Sequence, residues 1–321
     1  MKRGLVIGKF MPVHHGHMAL IEFAANRCDE LIVSMSYRED DPISYELRLL
    51  WLQEIFRGRD SIRVDVVLDD FDDESAPLSQ RTKQWSYHIQ RIFPPVNILF
   101  ASEPYGEPFA LHLGAEYQPF DPERRKFPVS ATEIRDSPFR YWSFIPEPVR
   151  PYFVKKICFY GPESTGKSSL AVEMAARYDT NYVPEVAREM ISSNEFTVDD
   201  IIAIGQAQFK RMEEKLLTAN KILFCDTDVI TTQIYSQHYL GVVPEVLYEI
   251  EKKVNYDVYF LMDIDVPWIA DGLRDLGDRR EEMMRIFRDE LGKRNLNYVL
   301  VTGSFVERKE IIDREIRGLL S

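Results

Sequence analysis

Two imidazoles three residues apart, His14 and His17, flank Gly16 in the run Gly8-Lys9-Phe10-Met11-Pro12-Val13-His14-His15-Gly16-His17. An apolar stretch precedes this run and an amphipathic one follows it, so the imidazoles fall at the entry of a helix. Backbone N–H groups and the helix dipole favour an anion there. A spacing of three puts both rings on one side of the first turn. From that position they can donate to phosphate oxygens and stabilise charge spreading over a pentavalent phosphorus. Gly16 lets the backbone approach a ligand and Pro12 stiffens the loop, while Lys9 offers a further cation or is an ordinary solvated lysine. His14 and His17 are the candidate catalytic pair, with Gly8, Lys9, Phe10 and Gly16 as triphosphate-binding candidates; His15 is left without a role.

A second run, of different design, lies roughly 150 positions downstream: Gly161-Pro162-Glu163-Ser164-Thr165-Gly166-Lys167-Ser168. It fits G-x-x-x-x-G-K-S in full, after an apolar strand and before a helix. In such a loop N–H groups wrap the phosphates, Lys167 reaches the β and γ oxygens, and Ser168 ligates Mg²⁺. Gly161, Glu163, Ser164, Thr165, Gly166 and Ser169 complete the candidate ATP-binding set. The apolar residues 222–225 lead into Asp226, the place of a Walker B carboxylate, so Asp226 is a candidate for Mg²⁺ or for the general base. Glu185, Arg188 and Asp228 are candidates for the acceptor side. Residues 271–280, with two glycines among alternating charges, read as a mobile lid. Its Arg274 and Arg279 would close over the transferring phosphoryl group; a solvated helix end is the competing reading.

Both runs need strands behind them and helices in front. Apolar runs near residues 5–7, 31–35, 62–68 and 98–101 alternate with helical patterns, and Ser44 reads as the cap of one helix. Strand signals resume at 157–160, 181–183, 222–225, 258–261 and 299–301, with a last helix from about 306 to 319. Continuous apolar strands alternating with helices predict α/β architecture, two doubly wound parallel-sheet domains. Residues 137–151 hold four prolines among aromatic side chains and read as a linker packed on a domain. The expected boundaries are 1–150 and 151–321.

The 321 residues suit two domains, and 45% hydrophobic with 29% charged residues supplies each with a core. A net charge of −12 argues against a nucleic acid backbone as main partner. Three cysteines, Cys28, Cys158 and Cys225, lack metal or redox spacing and read as small buried hydrophobes. With no signal-like or membrane-length apolar run, a cytoplasmic location and no membrane span are expected.

About 115 positions after the imidazoles comes Ser130-Ala131-Thr132-Glu133-Ile134-Arg135. Ser130 and Thr132 can supply hydroxyls and a helix cap, and Arg135 a forked cation for phosphates. With the first loop, this run resembles the H-x-G-H nucleotidyltransferase family, marked also by S-x-T-x-x-R. Followed by a P-loop kinase, the whole chain resembles the NadR-type bifunctional enzymes. The resemblance implies a nicotinamide mononucleotide adenylyltransferase ahead of a ribosylnicotinamide kinase. Nicotinamide riboside, nicotinamide mononucleotide, NAD and ATP would be its small-molecule partners, with Mg²⁺ as cofactor. Trp85 would stack on the pyridinium ring or simply pack in a core. Some members carry a helix-turn-helix domain in front; only three residues precede the first strand here, so no DNA binding is expected. The motifs set the triphosphate chemistry and leave the acceptors open. Another phosphorylated cofactor precursor, a nucleotide sensor without turnover, and a homo-oligomer all remain compatible with them.

Overall fold

The computed structural model describes residues 1–193, 195–269 and 275–321. The chain divides into two compact units, Met1–Arg150 and Pro151–Ser321.

The first unit alternates β1 (Arg3–Gly8), α1 (His15–Ala25), β2 (Glu30–Tyr37), α2 (Tyr45–Ile55), β3 (Ile62–Leu68) and α3 (Leu78–Ile92). It continues with β4 (Ile98–Ala101), α4 (Gly106–Leu113), β5 (Glu116–Pro119) and α5 (Ala131–Asp136). All strand pairs are parallel, in the order β3-β2-β1-β4-β5. Leu5 and Val6, Ile32 and Val33, and Leu99 and Phe100 are buried as consecutive pairs, as a sheet covered on both faces requires. The chain walks from β1 to one edge and then returns to β4 on the other side. Such a reversal opens a crevice beyond the carboxyl ends of the two strands, and β1 delivers its Gly8–His14 loop into it. Residues 137–151 are not a free tether: they form short 3₁₀ turns, with Trp142, Ile145 and Val149 buried.

The second unit starts with β6 (Lys155–Tyr160), α6 (Lys167–Arg177), β7 (Tyr182–Val183), α7 (Ala187–Met190), α8 (Val198–Leu216) and β8 (Ile222–Asp226). There follow α9 (Val229–Leu240), α10 (Glu245–Glu251), β9 (Val258–Met262), α11 (Arg280–Lys293), β10 (Tyr298–Val301) and α12 (Phe305–Leu319). The sheet is again parallel, ordered β10-β9-β6-β8-β7, with β6 in the middle. Successive residues of β6 face opposite sides, as the period of two demands. Ile157 and Phe159 pack with Leu170 and Ile312, while Cys158 and Tyr160 pack with Ile234 and Phe287. Both buried cysteines are free thiols. Among the described residues no helix is long and apolar enough to cross a membrane.

Candidate active sites

In the first unit the two imidazoles build the entry of α1 themselves. His14 is the cap residue, and its Nδ1 accepts from the Gly16 amide at 3.1 Å. His17 returns the arrangement, its Nδ1 accepting from the His14 amide at 3.4 Å. This is a capping box made of rings in place of hydroxyl and carboxylate. Gly16 is required by it, because a Cβ there would lie 2.9 Å from the His14 ring. Phe10, buried under the loop at φ 48°, meets the His17 ring edge-on at 5.0 Å.

Burial, Arg124 and His15 lower the His14 pKa from 6.5 to about 4. Burial, His14 and Arg124 hold His17 well below its ordinary value. Both rings are therefore neutral near pH 7. With each Nδ1 lone pair accepting a backbone N–H, the proton of each neutral ring sits on Nε2. The pair thus offers two Nε2–H donors.

Gly8, Lys9, His14, Gly16, His17, Ser130 and Thr132 line one cavity of about 310 Å³. Ser130 caps α5 and exchanges hydrogen bonds with Glu133, its hydroxyl accepting from the Glu133 amide at 3.2 Å. Lys9 lies 3.4 Å from Glu74. The guanidinium of Arg135 does not line the cavity; it donates to the Met11 carbonyl and, at 3.1 Å, to the Thr132 hydroxyl. It ties α5 to the first loop. The lining cation beside the imidazoles is Arg124, steadied by Glu103 at 2.5 Å and missed in the sequence. Arg48, fully buried, braces the loop from behind by donating to the Lys9 carbonyl at 2.7 Å and to Asp41 at 2.7 Å.

A second cavity of about 450 Å³ shares Gly8, Lys9 and Tyr105 with the first. Trp85 lines it, edge-on to Tyr105 at 5.5 Å and to Phe109 at 5.9 Å, with Arg81 over its ring at 5.2 Å. Asp69, Asp72 and Glu74 are on the same wall.

In the second unit the phosphate loop departs from β6 at Gly161, φ 133°, where a Cβ would lie 3.0 Å from the Met262 carbonyl. Gly166, φ 87°, opens α6. Thr165 ties the loop across itself, its hydroxyl donating to Pro162 at 2.9 Å. Lys167 is buried with Nζ donating to the Gly161 and Pro162 carbonyls, 2.8 Å each. Burial lowers its pKa, while Glu185 and Asp226 oppose that shift. The loop is propped from outside by Arg308, whose Nη1 donates to the Thr165 carbonyl at 2.7 Å and which also pairs with Asp265.

Asp226 ends β8 and is 2% exposed; Ser168 hydrogen-bonds to it, and its Oδ1 is buried without a partner. Burial and Glu185 push its carboxyl up to about 6. An orphaned carboxylate oxygen beside a serine hydroxyl suits a divalent cation that takes its remaining ligands from phosphate and water. No cluster of three or more acidic, His or Cys ligands stands anywhere among the described residues, so a cage built wholly of protein is not indicated. Thr227, β-branched at φ 71°, is strained backbone of the kind held at functional sites.

Glu163, Lys167, Glu185 and Arg188 line a single cavity with the rings of Phe196, Tyr235 and Tyr239. Arg188 and Glu185 pair at 2.7 Å. Ser164 holds the chain after β9, its hydroxyl accepting from the Ile269 amide at 2.8 Å, and Ser169 is exposed in the first turn of α6.

Two of the candidates are held by other partners. Asp228 caps α9, accepting from Thr231 at 2.9 Å and from the Tyr259 hydroxyl at 3.1 Å. Arg279 pairs with Glu282 at 2.7 Å instead of approaching the loop. Its neighbour Arg280 makes that approach, 3.5 Å from the Ser164 carbonyl, while donating to Val266 at 2.9 Å. Arg274 lies outside the described residues.

Residues 5–137 match the Cytidylyltransferase-like family and residues 156–308 the AAA domain family. The trifunctional NAD biosynthesis/regulator protein NadR of Salmonella typhimurium is 32% identical, over 98% of this chain and 83% of that protein. NadR of Escherichia coli is 32% identical over 93% of this chain and 78% of its own length. A nicotinamide-nucleotide adenylyltransferase from Caldivirga maquilingensis is 31% identical over 33% of this chain and 59% of its length. A crystal structure of NadR in complex with NR superposes with a TM-score of 0.81 at 22% identity, covering 97% of this chain and 94% of that one. A NadR structure with NAD and AMP-PNP also gives 0.81, at 21% identity, covering 99% and 96%.

Proposed function

Because the chain belongs to the NadR family, we propose that it makes NAD in two steps, one in each unit. The second unit phosphorylates nicotinamide riboside at its 5′-hydroxyl with ATP. The first unit joins the resulting nicotinamide mononucleotide to AMP, releasing pyrophosphate.

In the first reaction the loop amides and Lys167 hold the triphosphate. Ser168 and Asp226 would hold a Mg²⁺ ion, which when bound neutralises charge on the phosphate oxygens. Glu185 and Arg188 orient the riboside. In the second reaction the phosphate of the mononucleotide is itself the nucleophile, so no side chain has to be activated. The Nε2–H groups of His14 and His17, with Arg124, stabilise the charge that gathers on the α-phosphate and the departing pyrophosphate. Amides at the entry of α1 align the triphosphate beside them.

One observation carries the choice of acceptor. In both units the space beside the phosphate cradle has aromatic and acidic walls: Trp85, Tyr105, Asp69 and Asp72 in one, and Tyr235, Tyr239, Glu163 and Glu185 in the other. Two sites of unrelated construction with the same lining suit one shared ligand, a cationic aromatic ring. The experiment is incubation of the chain with nicotinamide riboside, ATP and Mg²⁺. NAD should accumulate through nicotinamide mononucleotide, and its absence with the riboside and the mononucleotide supplied in turn would overturn the assignment.

A further inference from the structure

Glu163 is the third residue of the phosphate loop. The Oε2 atom is buried without a hydrogen-bond partner among the described residues. The side chain lines the cavity that also receives Lys167, Glu185 and Arg188. It stands four residues before the lysine that reaches the terminal phosphates, so it occupies the same cavity as the reacting end of the triphosphate. The other acids nearby are already engaged. Glu185 is held by Arg188 at 2.7 Å and Asp228 by its helix cap, while Asp226, whose Oδ1 is likewise unpartnered, stands beside Ser168 as the residue that would hold the cation.

We propose that Glu163 is the general base of the phosphoryl transfer, receiving the proton of the acceptor hydroxyl at Oε2. This rests on the kinase reading of the second unit. The acceptor oxygen forms a bond to the γ-phosphorus as the bond from that phosphorus to the β–γ bridging oxygen breaks. ADP leaves with the electron pair, and Oε2 takes the hydroxyl proton and afterwards passes it to water.

The surroundings match the task. Lys167 at the start of α6 and Arg188 on α7 face Glu163 with positive charge. Glu185 and Asp275 face it with negative charge, and the Tyr235 and Tyr239 hydroxyls of α9 stand close by. Burial and Asp275 together outweigh the cations and push the carboxyl up to about 7. A base of that strength is about half ionised at neutral pH and strong enough to take a proton. Phosphoryl transfer asks less of its base than acyl transfer does, because the transition state is loose. The expected contribution is therefore at the lower end of the usual range for general bases, about 10²-fold.

The test is steady-state kinetics of the full chain with nicotinamide riboside and MgATP across pH, for the wild type, Glu163→Gln, Glu163→Asp and Glu185→Gln. In the wild type kcat should fall as pH drops through the region near 7. Glu163→Gln should lower kcat about 10²-fold, keep both KM values within a few-fold and abolish that limb. Glu163→Asp should restore part of the rate and the limb, and Glu185→Gln should keep the limb. Calorimetric titration of Glu163→Gln with ATP should give the wild-type stoichiometry, with both units binding, which checks that its loop is folded. An unchanged limb in Glu163→Gln, a loss confined to KM, or a limb that vanishes in Glu185→Gln overturns the proposal. A wild type that releases no ADP with the riboside sinks the kinase reading itself, and the base with it.

Discussion

His14 and His17 stack with ring centroids 3.8 Å apart and 29° between planes, each holding the other's end of the helix entry through Nδ1. Neither can rotate to serve as an acceptor for substrate without uncapping α1. His17→Ala should thus cut adenylyl transfer about 10²–10³-fold, the range for one lost transition-state donor. Riboside phosphorylation should persist in the same preparation. Pyrophosphate release and ADP release, measured separately, check this; loss of both in a folded protein contradicts the assignment of the two reactions to separate sites.

The same burial has a consequence for stability. His14 titrates at about 4 in the fold and near 6.5 when unfolded. Between those values the unfolded chain binds the extra proton, so stability is full above about 6.5 and is lost as pH falls toward 4. Urea unfolding of the first unit at pH 7, 5.5 and 4.5 should show that decline. His14→Asn, which keeps a capping oxygen, should make it shallower, leaving the share that His17 contributes.

Arg124 and Arg135 should separate by phenotype. Arg124→Ala removes the cation beside the imidazoles and should raise KM for ATP and lower kcat in adenylyl transfer, about 10²-fold in kcat/KM together. Arg135→Ala frees the Met11 carbonyl and should cost about 1 kcal/mol of stability with a smaller kinetic effect. Kinetics and denaturant midpoints on the two variants decide between these roles; the reverse pattern restores Arg135 as the phosphate ligand.

Asp226 and Asp228, two residues apart, predict opposite outcomes. Asp226→Asn and Lys167→Ala should each abolish most kinase activity while adenylyl transfer continues. Asp228→Ala should instead cost about 0.5–2 kcal/mol through its lost cap, with phosphorylation retained below the melting transition. Thermal melts beside ADP release would show an error in this division if Asp228→Ala were as inactive as Asp226→Asn.

The two phosphate loops and the parallel sheets behind them were legible because each is written locally, in glycines, caps and consecutive apolar residues. What escaped was held by arginines far along the chain. Arg48, Arg124 and Arg308 brace or line loops at separations of 39, 110 and 143 positions from Lys9, His14 and Thr165, and no local pattern marks such a residue. Asp228 also carries a local signal for the place it takes. An acid followed three residues later by Thr231, ahead of an apolar run, is a helix cap written plainly. Arg279 and Arg280 differ by one helical step of about 100°, and only the structure tells which of them turns toward Ser164.

The prop supplied by Arg308 sets an order of maturation. A ribosome completes the first unit's cradle once α5 is made, whereas the second unit's loop waits almost its whole length for the residue that holds it open. On this plan the first unit's cradle has all its parts in a shorter chain than the second unit's does.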